Sequence, residues 1–541
     1  MATILRNGRF FIPPTADSPH SFADCILIDN GTILHVGSEQ DAPVKEASGH
    51  SSTTIQDMNN HIVIPGFIDS HMHILQTAEA LQKLNVAPCK SLEQIRAAIR
   101  DYAKENPGLP RILCRSWSHL ATDGNELASQ LDDLDPRPIY IDADDLHSTW
   151  CSSSALEEMG VADMPDPPAG KIHRDENGKP SGLMSETAAV GIVWPFLSSK
   201  TTLEQKVKFV KHAFDVYVEA GYTGVVEMAT DDGVWDVLQE YRKQHGELPF
   251  WIAAHWFIFP RGPDENEKQV NRAIEMKQKF NAENSVQCHI TGIKVMCDGV
   301  VDACTAHLLE PYSHTNKNED PAWTVETLTP VLKQADAGGL QCALHAIGDG
   351  AIRIAINSLE AVGKPQARHR IEHLEMCSPE DVPRLGKLGI TASVQPVHSD
   401  PAILEAWPKL IGPVRCQHVF PYGALAKHGA LVAIGSDSPT APFDPLPNLY
   451  VATTRRSITE TESKDQTTPE FALDLAAAVT ASTSGAAYSC FQDRRVGTLC
   501  KGLEANLAVV DMNWDATKLL QAKVVETWIA GKRIFDAKAR A

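Results

Sequence analysis

Two histidines separated by one residue, His71 and His73, close the run Pro65-Gly-Phe-Ile-Asp-Ser-His-Met-His73. In extended chain, residues i and i+2 face the same way, so both imidazoles reach one cation at the roughly 2.0–2.1 Å usual for zinc–nitrogen bonds. The same spacing also serves an ordinary pair of surface or capping histidines. Four more candidates lie far along the chain: Lys294 in Gly292-Ile-Lys-Val, His345 closing Cys342-Ala-Leu-His, His373 closing Arg370-Ile-Glu-His, and Asp437 after Ala433-Ile-Gly-Ser436. Singly, each has a plain structural use: a snorkelling lysine, two core histidines, a capped turn. Brought to one opening, four imidazoles, a lysine and an aspartate are a set suited to holding a metal cation.

Only a particular scaffold gathers residues so far apart. Eight β-like runs can be placed: Ile62 to Asp69, Tyr222 to Ala229, Phe250 to Ile258, Ile290 to Cys297, Leu340 to His345, His369 to Leu374, Ile390 to Gln395 and Leu431 to Ser436. Helical spacing separates most of them, as in Leu203 to Ala220, and Ser378-Pro-Glu-Asp381 carries N-terminal helix signals. Strands alternating with helices eight times predict a (β/α)8 barrel, whose strand ends converge on one face. Every candidate falls at such an end. The interval 75–200 is too long for one crossover and is read as an insertion between the first and second strands. The first sixty residues carry hairpin signals, including Asp29-Asn-Gly31, and the last fifty hold further short strands. The expected organisation is a small β-sandwich from 1–60 and 485–541, a barrel from 61–74 and 201–484, and the insertion.

The chain has 541 residues, 43% of them hydrophobic, and a net charge of 49 minus 69, or −20. That acidity, with no basic patch, excludes an electrostatic grip on nucleic acid or an anionic membrane. Twelve scattered cysteines without a C-x-x-C pair suit reduced thiols. The opening stretch carries Arg6 and Arg9 and lacks a secretory apolar core, so a cytoplasmic location is expected. The expected partner is a small-molecule substrate, and a homodimer fits the general preference for symmetric assemblies. No G-x-S-x-G elbow, H-E-x-x-H helix or nucleotide-binding glycine loop is present.

The stretches VIPGFIDSHMH (63–73), GIKVMCDG (292–299), TAHLLEPY (305–312), LHAIGDGAI (344–352), RIEHLEM (370–376) and IGSDSPTAPFDPL (434–446) together resemble the amidohydrolase superfamily. The branch is that of the D-aminoacylase-like enzymes and N-substituted formamide deformylases. GTLCKGLEANLAVVD (497–511) resembles its closing β-strand motif. The resemblance implies that His71, His73, His345 and His373 bind a divalent metal, zinc first, and that Asp437 binds metal and shuttles the proton. Lys294, if carboxylated, implies two metals per chain; unmodified, it implies one. Such a site lowers the pKa of bound water to about 7, and the departing nitrogen must be protonated because an amide anion leaves poorly. The expected reaction is hydrolysis of an N-formyl or N-acyl amine. Cyclic amides, lactones or esters, and deamination are alternatives on the same scaffold, and a catalytically inactive binding or regulatory relative is the alternative of another class.

Within the insertion, Asp145-Leu-His147-Ser-Thr-Trp150 resembles a segment that closes over the pocket, with Leu146 and Ser152 departing from the pattern. His147, Trp150 and Trp117 are thereby candidate substrate contacts, as is Arg415. Asp349 is expected to orient His345, and Glu372 to orient His373, as metal-bound imidazoles require. His255 and His398 are read as non-ligands.

Overall fold

The computed structural model describes residues 2–15, 18–143, 148–167 and 170–539. It divides into two compact units, Met1–His73 with Phe214–Ala541, and Ile74–Ala213. No helix among the described residues is long and apolar enough to cross a membrane.

In the larger unit eight parallel strands run side by side in chain order: Phe67–Met72, Tyr222–Thr230, Trp251–Ile258, Cys288–Met296, Gln341–Ala346, Arg370–His373, Thr391–Val394 and Val432–Ile434. Helices such as Asp232–His245, Pro263–Lys279, Val325–Ala337 and Asp349–Val362 alternate with them. Parallel strands covered on both faces need apolar residues on both, which is why these segments read as unbroken apolar runs. In Tyr222–Thr230, for example, only Ala229 escapes full burial. The helix expected from Ser378 begins later, at Val382. Ser378 instead accepts the Asp381 N–H and stabilises the preceding turn.

The eighth strand and the first meet through individual hydrogen bonds. Buried Asp69 accepts the Ser436 N–H at 2.9 Å and the Ser436 hydroxyl at 2.6 Å. Beyond it the Asp437 N–H donates to His71 O at 2.7 Å and the His73 N–H to Ser438 O at 3.0 Å. The residues that join the barrel's edges are therefore neighbours of, or identical with, those proposed for its chemistry.

The first expected strand, Ile62 to Asp69, proves to be two. Ile62–Pro65 pairs with Leu507–Asp511 and Ala2–Ile12 in the terminal sheet, while Phe67–Met72 enters the barrel. Gly66 marks the change, because a Cβ there would collide with the Thr223 side chain. The run is apolar throughout since both sheets bury it, so periodicity alone shows no break. The two chain ends form one mixed eight-stranded sheet, from Lys532–Asp536 through Leu507–Asp511 and Ile62–Pro65 to Thr32–Gly37. Its core holds Leu5, Phe10, Ile26, Leu507, Val509 and Trp528.

The insertion has its own six-stranded sheet, ordered Gly170–Arg174, Pro180–Glu186, Ser148–Cys151, Ile139–Ala143, Ile112–Trp117 and Leu84–Asn85. The helix Leu92–Glu105, capped by Ser91, buries Ile95 and Ile99 against it. Trp117 and Trp150, expected to line a substrate pocket, lie inside this core. Both are 0% exposed, and their rings are 5.6 Å apart. The Trp117 indole N–H donates to the Thr122 hydroxyl and that of Trp150 to Leu127 O. An apolar ring beside a candidate motif fits a core as well as a pocket, and here the core takes both. His147 lies outside the described residues. Trp150→Ala opens a cavity that costs about 3–5 kcal/mol, so the insertion should unfold at lower denaturant than the barrel, detectable as a new early transition in urea.

Candidate metal centre

His71 and His73 stand at and just beyond the end of Phe67–Met72, and Lys294, His345 and His373 lie towards the ends of the fourth, fifth and sixth barrel strands. Asp437 follows the eighth. Two of these positions carry unusual backbone: φ is +76° at His373, followed by +55° at Leu374, and +57° at Asp437. Residues with a Cβ hold that region at a cost of about 1–3 kcal/mol, and such residues cluster where function requires the side chain to be re-aimed. Gly435 lies directly beneath, where a Cβ would fall 2.7 Å from His71 Cβ.

Asp437 is the meeting point. Its Oδ1 lies 3.2 Å from His71 Nε2 and 3.1 Å from His73 Nε2. Its Oδ2 accepts the Thr440 hydroxyl at 2.9 Å and lies 3.6 Å from His398 Nε2. Among the described residues, two groups have ligand atoms within 4.8 Å of one another: His71, His73 and Asp437, and His373, His398 and Asp437.

The proton positions follow from the surroundings. His71 Nδ1 is 2.7 Å from Glu372 Oε2, and both side chains are buried. Burial opposes ionisation of Glu372, but the Arg370 guanidinium, 2.5 Å away, together with His71, holds its carboxyl well below the usual range. A carboxylate only accepts, so His71 carries its proton on Nδ1 and presents a lone pair at Nε2. Burial, then Lys294, pushes the His71 pKa down, so the ring is neutral. Burial also opposes ionisation of Asp437, and its low pKa requires positive charge on the side of His71, His73 and His373, which a cation seated there would supply while those rings stay neutral. A lone pair on nitrogen thus faces a carboxylate oxygen at 3.2 Å, an arrangement that a cation between them would make favourable. His73 Nδ1 and His373 Nδ1 are buried without hydrogen-bond partners. Burial, chiefly, lowers the His345 pKa to about 3 and that of His373 well below its ordinary value, leaving both rings neutral. The donor chemistry fits a divalent cation.

The sequence profile of the amidohydrolase family matches residues 54–535. The chain belongs to the amidohydrolase family. It is accordingly a hydrolase of carbon–nitrogen bonds. Across 98% of its length it is 28% identical to the protein LONG AFTER FAR-RED 3 of Arabidopsis thaliana, covering 91% of that relative. It is 23% identical to the N-substituted formamide deformylase of Arthrobacter pascens, covering 96% of each chain. An uncharacterized metal-dependent hydrolase from Pyrococcus horikoshii shares the fold, with a TM-score of 0.76 and 23% identity over 95% of this chain and 98% of the other.

Several residues of this amidohydrolase sit differently from their expected places. Glu372 orients His71 rather than His373, because neighbouring strand residues point to opposite faces. Asp349 does not touch His345: it opens the helix Asp349–Val362, and its Oδ1 accepts the N–H groups of Leu309 and Gly350. The carboxylate near His345 is Asp298, 3.6 Å from its Nε2. Asp298 accepts the N–H groups of His307, Ile347 and Gly348, and burial pushes its pKa up to about 8. His345 Nε2 itself is 3.2 Å from Gly299 O, and His345 belongs to neither ligand group. Arg415 is no substrate contact, since its guanidinium binds the carbonyls of Glu310, Pro311 and Ile411 and ties two loops together. Lys294 lies inside the cluster, with Nζ 3.4 Å from His71 Nε2. His255, buried against Gln341, stands apart from the ligand groups.

His398, read with His255 as a non-ligand, stands beside Asp437. The short turn Pro396–Ser399 after the seventh strand carries it back to Asp437, and its Nδ1 lies 3.1 Å from Glu375 Oε1. Its signal was the position of Gln395-Pro-Val-His398 at a strand end, the same criterion that selected the others. Removing Glu372 leaves Arg370 buried and unpaired, so Glu372→Ala should lose about 3–5 kcal/mol, whereas Arg370→Met with Glu372→Leu should recover much of it in a denaturant titration.

Proposed function

We propose that this amidohydrolase hydrolyses an N-formyl or N-acyl amine of low molecular weight, with a divalent cation, zinc by preference, held by His71, His73 and Asp437. The observation that carries the reading is the 3.2 Å approach of the His71 Nε2 lone pair to ionised Asp437 Oδ1. A cation bound there supplies Lewis acidity, lowering the pKa of bound water to about 7 and polarising a carbonyl oxygen.

The chain's own groups divide the remaining work. Glu372, backed by Arg370, fixes the His71 tautomer and ring orientation. Asp437 offers Oδ1 to the cation side and Oδ2 to the Thr440 side. Oδ2 takes the proton of the attacking water and returns it to the departing nitrogen, which otherwise leaves as a strongly basic anion. The Thr440 hydroxyl holds the carboxylate plane during both transfers.

Lys294 is pushed towards its neutral form by burial, against the opposing pull of Glu372 and Asp437. An ammonium at that position opposes a cation, whereas a carboxylated Lys294 adds a negatively charged ligand. The N-formyl choice is supported by the resemblance to the Arthrobacter deformylase across 96% of the chain.

Three measurements test the reading. Elemental analysis of the purified protein should find bound divalent metal, and chelation should abolish turnover of formamides or N-acyl amines until zinc or manganese is restored. Asp437→Asn should lower kcat by about 10²–10⁴-fold, the range for a lost general acid–base group. Glu372→Gln should weaken metal binding by about 10–100-fold, as loss of an imidazole-orienting carboxylate does. A folded protein that takes up no divalent metal ends the proposal.

A further inference from the structure

Among the described residues the third barrel strand, Trp251–Ile258, contributes nothing to either ligand group, yet its end carries aromatic rings that the reaction as described leaves unused. Phe257 is the register partner of Lys294 on the fourth strand. Register partners on neighbouring parallel strands point to the same face, and Lys294 reaches His71, so Phe257 also faces the barrel mouth. The residue before it keeps the alternation: Trp256 turns outward, where the Arg272 guanidinium of the helix Pro263–Lys279 lies 5.8 Å from its ring. Phe257 is half-buried at the mouth. Two residues on, Phe259 is 45% exposed, and its ring meets that of Phe257 edge to face, with centroids 4.4 Å apart and planes at 77°.

An exposed phenylalanine is ordinary on a protein surface, but this one is held in place. Its N–H donates to Gln269 Oε1 at 2.9 Å and its carbonyl accepts the Gln269 amide at 3.0 Å, while the Arg261 N–H donates to Asn266 Oδ1 at 2.9 Å. The loop 259–262 is thus tied at three points to the helix that follows it. A ring ordered before binding adds contact area with little further loss of entropy. The exposed Arg261 guanidinium stands 5.0 Å from the centroid of the Phe259 ring.

We infer that Phe257 and Phe259 form the specificity-determining wall of the substrate site and receive a neutral aromatic group carried on the substrate nitrogen. This rests on the N-formyl reading above and deepens it. A formyl carbon bears only hydrogen beyond the amide, so discrimination among formamides acts on the nitrogen substituent. Two rings already set edge to face present both a face and an edge to a third ring. Arg261 at the same wall opposes an ammonium on that substituent by like-charge repulsion.

The test compares kcat/KM of the zinc-loaded full chain for N-phenethylformamide, N-methylformamide and N-aminoethylformamide, whose amine is protonated at neutral pH, with circular dichroism as the control for folding. The wild-type protein should prefer the phenethyl compound to the methyl one by about 10-fold or more, with the aminoethyl compound poorest. Phe259→Ala and Phe257→Ala should each cut that preference by about 10-fold, chiefly by raising KM for the phenethyl compound, the mark of lost binding shared by ground and transition states. Phe259→Tyr, which keeps the ring, should retain the preference, and Arg261→Ala should narrow the gap between the phenethyl and aminoethyl compounds. Equal kcat/KM for the phenethyl and methyl compounds, or a preference that survives both alanine substitutions, overturns the aromatic wall while the hydrolase reading stands. A zinc-loaded protein that hydrolyses none of the three overturns the N-formyl reading and the wall together.

Discussion

A buried carboxylate paired with a buried guanidinium governs this molecule. Glu372 cannot remain ionised in the barrel interior without Arg370, and Arg370 in turn is held by Ser70 O, Ser393 and Ser489. Because Glu372 stays charged, His71 must place its proton on Nδ1, and only then does Nε2 face Asp437 as a donor atom. Replacing a pair of this kind by apolar residues is often no loss to stability. Its retention is better explained by the tautomer it imposes than by the energy it contributes.

The barrel provides the second constraint. Its strands bring distant residues to one rim, but strands alone aim successive side chains to opposite faces. The left-handed backbone at His373 and Asp437 breaks that alternation where the strands end. The bonds that close the barrel, from Ser436 N to Asp69 Oδ1 and from Asp437 N to His71 O, pass through the same few residues. Closing the fold and assembling the ligands are one event.

Much of this was legible in the sequence, for identifiable reasons. Eight apolar runs marked eight strands because parallel strands are buried on both faces, and the residues at their ends converge by geometry. What was missed depended on information that local pattern does not hold. The break at Gly66 lies inside a continuous apolar run shared by two sheets. The partner of Glu372 is set by strand-to-strand packing across the barrel, not by chain adjacency. Trp117 and Trp150 carry rings that serve a core or a pocket equally, and only the insertion's own packing decides. His398 stands past the end of the seventh strand, and only the turn Pro396–Ser399 brings it beside Asp437.

The Gly66 junction has a consequence of its own. The segment bearing His71 and His73 continues into Ile62–Pro65, whose neighbour in the terminal sheet is Leu507–Asp511, a piece of chain made long afterwards. During synthesis on the ribosome one flank of Ile62–Pro65 therefore stays without its partner until Leu507–Asp511 has been made.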